Sequence, residues 1–355
     1  MHRPLRLTVD AAALQHNWRW LAERAGVACG AAIKADGYGL GAREALAVLA
    51  DAGCRDFFVS SWAEADELGP MAAALGLAVL HGVGPDDLPA ALSSRARPVL
   101  NSVAQAERWK QAAPDRACDV MIDTGMNRLG LRTDEIGCLD GLEIQTLHSH
   151  LACADEDNAL NRQQLDRFRA VAETVPARRY SLANSAGICL GRDYSFDLVR
   201  PGLALYGGIP RAEAIGNIRQ VAQVEAQVVQ RRTIRAGESC GYGATFVAEQ
   251  DCQAAILNLG YADGYLRGFS SKGWGYAGEF TLPVLGRVSM DLIALGCDAA
   301  PELKEGDWVE LDYDLPAAAE ASGLSQYELL TTLGSRFDRR WLDPGNASTQ
   351  RVAWA

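Results

Sequence analysis

The sequence predicts an α/β protein: a (β/α)8 barrel over residues 1–220, then a mostly antiparallel β domain over residues 221–355. Three observations predict it. Between about residues 27 and 206, eight short apolar runs alternate with longer helix-like segments. Buried parallel strands read as near-continuous apolar runs, and helical crossovers join them. After about residue 220 the segments become β-rich, with turns marked by Gly and Pro, the pattern of a separate antiparallel domain. The length of 355 residues, 48% apolar and 22% charged, suits a soluble protein with two cores.

In order, the barrel strands fall in "VACGAAI" from Val27, "DFFVSS" from Asp56, "LAVLHG" from Leu77, "PVLN" from Pro98, "CDVMID" from Cys118, "LEIQTLHSH" from Leu142, "RYSLAN" from Arg179 and the stretch from Phe196 to Gly207. Ala-, Leu- and Glu-rich segments such as "AREALAVLADAG" and "NRQQLDRFRAVAETV" lie between them as helices. The β domain is built from "VAQVEAQVVQRRTIRAGESC", "AAILNLGYADGY", "EFTLPVLGRVSMDLIAL" and "DWVELDYD". The sequence contains no repeat or low-complexity segment.

The net charge of −11 disfavours nucleic acid and anionic membranes as partners, while leaving room for a local basic site for a small anion. The nine cysteines are scattered and never spaced C-x-x-C, as expected of reduced thiols and not of a disulfide framework or zinc site. The opening "MHRPLRLTVDAAALQHNW" has no apolar signal region, and no run has transmembrane length. The expected location is therefore cytoplasmic.

In a barrel of this class, chemistry gathers at the C-terminal ends of the strands. Lys34 ends the first. Asp123 and Arg128 follow the fifth, His148 and His150 end the sixth, Asn184 and Ser185 the seventh, and Arg200 and Gly202 lie at the eighth. A lysine at an apolar mouth loses hydration, so its pKa falls and its free amine becomes nucleophilic, suited to a Schiff base. Ser185, Gly202 and loop amides suit a phosphate. The aldehyde phosphate that needs both is pyridoxal 5′-phosphate. Read alone, Lys34 is equally a solvated strand end. The H-x-H of His148 and His150 lacks a third ligand at convincing spacing, so no metal is expected. "GYGLG" fails the dinucleotide-loop spacing. Tyr265 reads as a packing residue, and Ser181 and Thr124 as structural polar groups.

The blocks "AAIKADGYGLGA", "IDTGMNRLGLR", "LHSHLACADE", "LANSAG", "VRPGLALYG", "GYGATF", "GYADGYLRG" and "GRVSMD" occur in one order between residues 31 and 291. In these blocks the chain resembles the alanine racemase family, pyridoxal-phosphate enzymes built from a barrel plus a β domain. The opening "RLTVDAAALQHNWRWL" resembles that family too. The resemblance implies a cytoplasmic homodimer that interconverts L- and D-alanine, supplying D-alanine for peptidoglycan if the source is bacterial; a catabolic role would use the same chemistry. It implies that Lys34 carries the cofactor and that Tyr242 is the second base, reaching the site from the β domain of the other subunit. Tyr38, Ser185, Gly202 and Leu203 match phosphate contacts, and Asn184, beside Ser185, is read with them as a cofactor-binding residue. Arg200 matches the arginine facing the pyridine nitrogen, with His150 as its partner. Arg128 matches the arginine that orients cofactor and substrate carboxylate, and Tyr261, Met290 and Asp291 match substrate-pocket residues.

These roles make chemical sense. Racemisation removes the α-hydrogen from one face and returns it on the other, so two bases are needed. A tyrosine hydroxyl ordinarily ionises near pH 10, so a tyrosine base needs cationic or hydrogen-bonding neighbours. An arginine donates to the pyridine nitrogen without readily protonating it, which weakens the electron sink and disfavours side reactions such as transamination.

Two positions depart from the family. A lysine that becomes carbamylated commonly stands seven residues before the arginine matched by Arg128; here it is Met121, which carries no charge. A small anion such as chloride, held by Asn127 and Arg128, is the expected replacement, with solvation or pairing to Asp123 as the alternative. Near the C-terminus, Ser335 falls where the family commonly has a tyrosine, so a roomier pocket that accepts serine is expected. Three other functions share parts of this pattern. A broad-specificity racemase is expected to be exported, a pyridoxal-phosphate decarboxylase places an acid where Arg200 stands, and a non-catalytic cofactor carrier lacks the β domain.

Overall fold

The computed structural model describes residues 2–342 and divides into two units, Leu14–Arg219 and the residues up to Ala13 together with those from Gln220 onward. Strand β1 (Leu5–Asp10) therefore belongs with the β-rich unit and not with the barrel. It pairs antiparallel with Ala222–Ala226 and parallel with Asp338–Leu342. The reason lies in "LRLTVD": Leu5, Leu7 and Val9 are buried and the residues between them are half-buried. That alternation marks a strand with one apolar face.

In the barrel unit, β2 (Ala28–Cys29) and β3 (Ala31–Ala32) flank Gly30 as two parts of one extended segment. Next come β4 (Asp56–Val59), β5 (Gly76–Val79), β6 (Arg97–Leu100), β7 (Cys118–Met121), β8 (Ile144–His148) and β9 (Arg179–Ser181), a parallel series from β3 to β9 in chain order. Strand β10 (Leu198–Val199) runs parallel to β2. Hydrogen bonds on both sides of β10 close the ring. The Asp197 and Arg200 amides donate to the Tyr180 and Ala183 carbonyls at 3.0 and 2.9 Å, and the Gly30 and Ala32 amides to the Val199 and Pro201 carbonyls at 2.9 Å each.

The helices start where capping residues stand. Ser61, Ser102 and Asn158 accept from the Glu64, Gln105 and Leu160 amides at the heads of Trp62–Glu67, Val103–Ala112 and Ala159–Ala172. In the last of these, Asn161, Gln164, Leu165, Phe168 and Val171 are buried, the stripe of an amphipathic helix against a sheet. The barrel interior also holds charge. Arg179 grips Asp56 at 2.9 and 2.6 Å. Arg97 donates to the fully buried Asp119 at 3.1 Å, and His148 Nε2 lies 3.5 Å from the same carboxylate. Burial alone would raise the Asp119 pKa; His148 and Arg97 outweigh it and hold the carboxyl below its usual value.

The β-rich unit contains β11 (Ala222–Ile234), β12 (Ser239–Cys240), β13 (Phe246–Val247), β14 (Cys252–Leu257), β15 (Trp274–Ala277), β16 (Phe280–Pro283), β17 (Ile293–Gly296), β18 (Trp308–Leu311) and β19 (Asp338–Leu342). Its main path runs β16-β15-β18-β11-β1-β19, and β14 extends it from the far half of β11 to β17. The pairings are antiparallel except β1 with β19. Tyr265, 1% exposed, stacks on Phe269 at 4.2 Å between ring centroids; it packs the core. Strands β12 and β13 form a separate small hairpin, and residues 241–245 make its tip. Among the described residues, no helix is long and apolar enough to cross a membrane.

Candidate active site

Lys34 follows β3 at its C-terminal end and opens the turn Lys34–Tyr38. Ala35, Asp36, Gly37 and Tyr38 all have positive φ, between 52° and 61°. For the residues other than glycine this conformation costs about 1–2 kcal/mol each, so neighbours must hold it. They do. Glu64 accepts from the Ala35 amide at 3.0 Å and from the Ser60 amide at 2.6 Å, and Asp36 accepts from the Ala42 amide at 2.9 Å. Tyr38 stacks on Tyr206 at 4.7 Å, and the Tyr206 hydroxyl donates to the Ala32 carbonyl at 3.0 Å. The turn therefore presents Lys34 on a braced backbone. Burial lowers the Lys34 pKa, the Arg128 charge lowers it further, and Glu64 opposes both. More of the amine is free at neutral pH than for an ordinary lysine.

A cluster of hydroxyls and amides gathers near Tyr38. Ser185, 2% exposed, accepts from the Gly202 amide at 3.0 Å and the Ala204 amide at 3.2 Å. A Cβ on Gly202 would lie 2.0 Å from the Tyr38 hydroxyl oxygen, so only glycine lets that hydroxyl approach. Leu203 is buried beside it. Asn184 caps the helix Ser185–Leu190, its side-chain oxygen accepting from the Gly187 amide at 2.9 Å. That oxygen is committed to holding Ser185 in place.

Arg200, 6% exposed, is fixed by neutral acceptors: it donates to the Ser181 hydroxyl and, at 2.6 Å, to the Ser149 carbonyl. Ser181 in turn donates to the Leu198 carbonyl at 2.5 Å. Ser181 thus holds Arg200, although its sequence context marks it only as a structural polar group. His150 lies among three cations and carries no charge itself. Burial, then the charges of Arg200, Arg128 and Lys34, push the His150 pKa down to about 3, so the imidazole is neutral. Burial lowers Arg200 only to about 10, and the guanidinium stays protonated. The donor set fits pyridoxal phosphate: an amine of lowered pKa, a hydroxyl-and-amide cluster suited to a phosphate, and a buried fixed cation.

Arg128 lies on the loop after β7 and is exposed. Asp123 forms no ion pair with it; its Oδ1 accepts from the Gly125 and Met126 amides at 2.8 and 2.9 Å, within its own loop. Among the described residues, Arg128 joins no ion pair. Met121, 7% exposed, supplies no charge.

The remaining predicted residues belong to the β-rich unit. Tyr242, 69% exposed, stands at the hairpin tip between Gly241 and Gly243, whose φ values are 77° and 75°. Tyr261 and the Met290–Asp291 loop are stitched together: the Tyr261 and Ala262 amides donate to the Ser289 and Met290 carbonyls at 3.0 Å each. Ser335 is exposed, and its neighbour Arg336 pairs with Asp291 at 2.7 Å and Asp263 at 2.6 Å. Sequence reasoning missed Glu64, Ser181, Asp263 and Arg336. Only the serine's place near a strand end could have signalled one of them.

Comparison with known proteins gives the family. The family model for the alanine racemase N-terminal domain matches residues 9–210, and that for the alanine racemase C-terminal domain matches residues 221–341. A catabolic alanine racemase of Agrobacterium fabrum is 40% identical over 358 residues, covering 96% of this chain and 92% of the relative. The biosynthetic alanine racemase of the same organism is 39% identical over 367 residues, covering 96% and 94%. The alanine racemase structure from Bartonella henselae, with covalently bound pyridoxal phosphate, superposes with a TM-score of 0.90 at 35% identity, covering 96% of this chain and all of that one.

Proposed function

The chain belongs to the alanine racemase family, and from that membership we propose that it interconverts L- and D-alanine as a cytoplasmic homodimer, with pyridoxal 5′-phosphate bound at Lys34. The observation that carries this reading is Lys34 itself, a half-buried amine of lowered pKa on a braced turn whose Tyr38 meets Gly202 and the Ser185 cluster. We propose further that the product D-alanine feeds peptidoglycan synthesis.

When bound, pyridoxal phosphate supplies an electron sink that makes the α-hydrogen removable. The chain's own residues do the rest. Tyr38, Ser185 and the amides of Gly202 and Leu203 would hold the phosphate, together with Asn184 beside Ser185. Arg200 would face the pyridine nitrogen as a donor and keep its proton, since its pKa, lowered by burial to about 10, stays well above neutrality. Neutral His150 adds no second positive charge beside it. Lys34 Nζ takes or returns the α-proton on one face. The Tyr242 hydroxyl of the second subunit does so on the other. Arg128 orients the substrate carboxylate, with Tyr261, Met290 and Asp291 shaping the pocket.

The direct test is to incubate the purified protein with L-alanine and separate the products on a chiral column. D-alanine is the expected product. Ethylamine with carbon dioxide would instead indicate a decarboxylase, and the absence of turnover a cofactor carrier.

The uncharged Met121 leads to a second expected outcome. We propose that chloride, held by Asn127 and Arg128, supplies the negative charge beside that arginine. Replacing chloride by a bulky organic anion at constant ionic strength is expected to lower kcat/KM roughly fivefold, the equivalent of about 1 kcal/mol, the upper end for an exposed ion pair. Added bicarbonate should change nothing. Activity indifferent to chloride, with no anomalous peak beside Arg128 in bromide-soaked crystals, would remove the anion.

A further inference from the structure

Three segments of the β-rich unit meet at one guanidinium. Asp263 is fully buried; its Oδ2 accepts from the Gly260 amide at 2.9 Å, closing the turn that carries Tyr261. Its Oδ1 pairs with Arg336 Nε at 2.6 Å. The same arginine extends Nη1 to Asp291 Oδ1 at 2.7 Å. The backbone reinforces these contacts. The Gly334 amide donates to the Asp263 carbonyl at 3.2 Å, and the Ala262 amide to the Met290 carbonyl at 3.0 Å. At Gly260 a Cβ would fall 2.2 Å from the Met290 carbonyl oxygen, so the turn and the loop are already in the closest contact backbones allow.

We propose that Arg336 is a positioning residue for substrate: its fork ties the Tyr261 turn and the Met290–Asp291 loop into one block, acting through Asp263 and Asp291. The inference rests on the reading of Tyr261, Met290 and Asp291 as substrate-pocket residues. The physical reason for an arginine is geometric. Two carboxylates approach from different directions, one buried and one half-exposed. A planar guanidinium spans both, its Nη1 donating to Asp291 while its Nε edge keeps the charge 2.6 Å from Asp263, whereas a lysine is a single point charge on a flexible stem. Burial raises the Asp263 pKa, and Arg336 works against that rise. Without the arginine, Asp291 also loses its link to the turn.

The test uses the full-length holoenzyme. Arg336→Lys is expected to raise KM for L- and D-alanine about tenfold while kcat stays within about threefold, a loss of pocket alignment and not of chemistry. Arg336→Gln should raise KM further. Cofactor absorbance and cofactor affinity should match the unsubstituted protein, because the residues proposed to hold the cofactor belong to the other unit. Because Arg336→Gln leaves a buried carboxylate unpaired, the double variant Arg336→Gln/Asp263→Asn removes that charge while keeping an acceptor for the Gly260 amide. Its KM should remain raised. Unchanged KM in both Arg336 variants would overturn the inference, as would a fall in active fraction and melting temperature with KM unchanged. Met290→Ala separates the two layers. If it raises KM while the Arg336 variants do not, positioning fails alone. If Met290→Ala also leaves KM unchanged, the pocket reading fails and the inference with it.

Discussion

Lys34→Ala is expected to reduce racemisation at least about a thousandfold, the largest effect of any single substitution in this chain. Two functions are lost together. The covalent anchor for the cofactor disappears, and with it one of two proton carriers, each of the kind that contributes roughly 10²–10⁴-fold. The unsubstituted protein should be yellow, and borohydride should remove the visible absorbance. Mass spectrometry should then place the added mass on the peptide containing Lys34. The variant should not be unfolded. Lys34 has a folded-state pKa below its ordinary value, mainly through burial. Its charge therefore costs stability, a cost fully present below the folded pKa and relieved as pH rises through the unfolded value near 10.4. Removing the amine relieves that cost at neutral pH. The melting temperature should accordingly hold or rise while activity collapses. A label on another lysine would refute the assignment.

The barrel could be read from the sequence because its strands are covered on both faces and so appear as short unbroken apolar runs. β7 is buried at all four positions. β1 misled for the complementary reason. Its place at the start of the chain suggested the barrel, whereas the alternating burial of "LRLTVD" is the mark of a one-faced strand. In the site, Lys34 and Arg200 stand out because a charge at the end of an apolar run is conspicuous. The groups that hold them do not. Glu64 reaches the Ala35 amide from 29 residues away, Ser181 meets Arg200 across 19, and Arg336 meets Asp291 across 45. Such side chains sit in an ordinary helix, strand and loop, and only tertiary folding gives them partners. Arg200 shows a related limit: the resemblance names His150 as its partner, while the groups that accept from its guanidinium, Ser181 and Ser149, carry no signal in residue order.

The second large effect concerns Tyr242. Tyr242→Phe is expected to lower racemisation by about 10²–10⁴-fold, the usual worth of a positioned proton carrier, while leaving the cofactor absorbance intact. The substitution removes one hydroxyl from an exposed ring at the tip of a hairpin, so the melting temperature should not move. The more discriminating experiment mixes chains. We propose that Lys34 and Tyr242 of one site come from different subunits of a two-fold dimer. A Lys34→Ala chain and a Tyr242→Phe chain, each nearly inactive alone, should recover activity when refolded together. In each mixed dimer, one site combines the Lys34 of one chain with the Tyr242 of the other, and the second site has neither. With random assortment about half the dimers are mixed, so about a quarter of the unsubstituted activity per chain should return. If both bases came from the same chain, no mixed dimer would contain an intact site. Mixing would then restore nothing, even with heterodimers proven by differential tagging. The recovered fraction therefore distinguishes a shared site from a self-contained one.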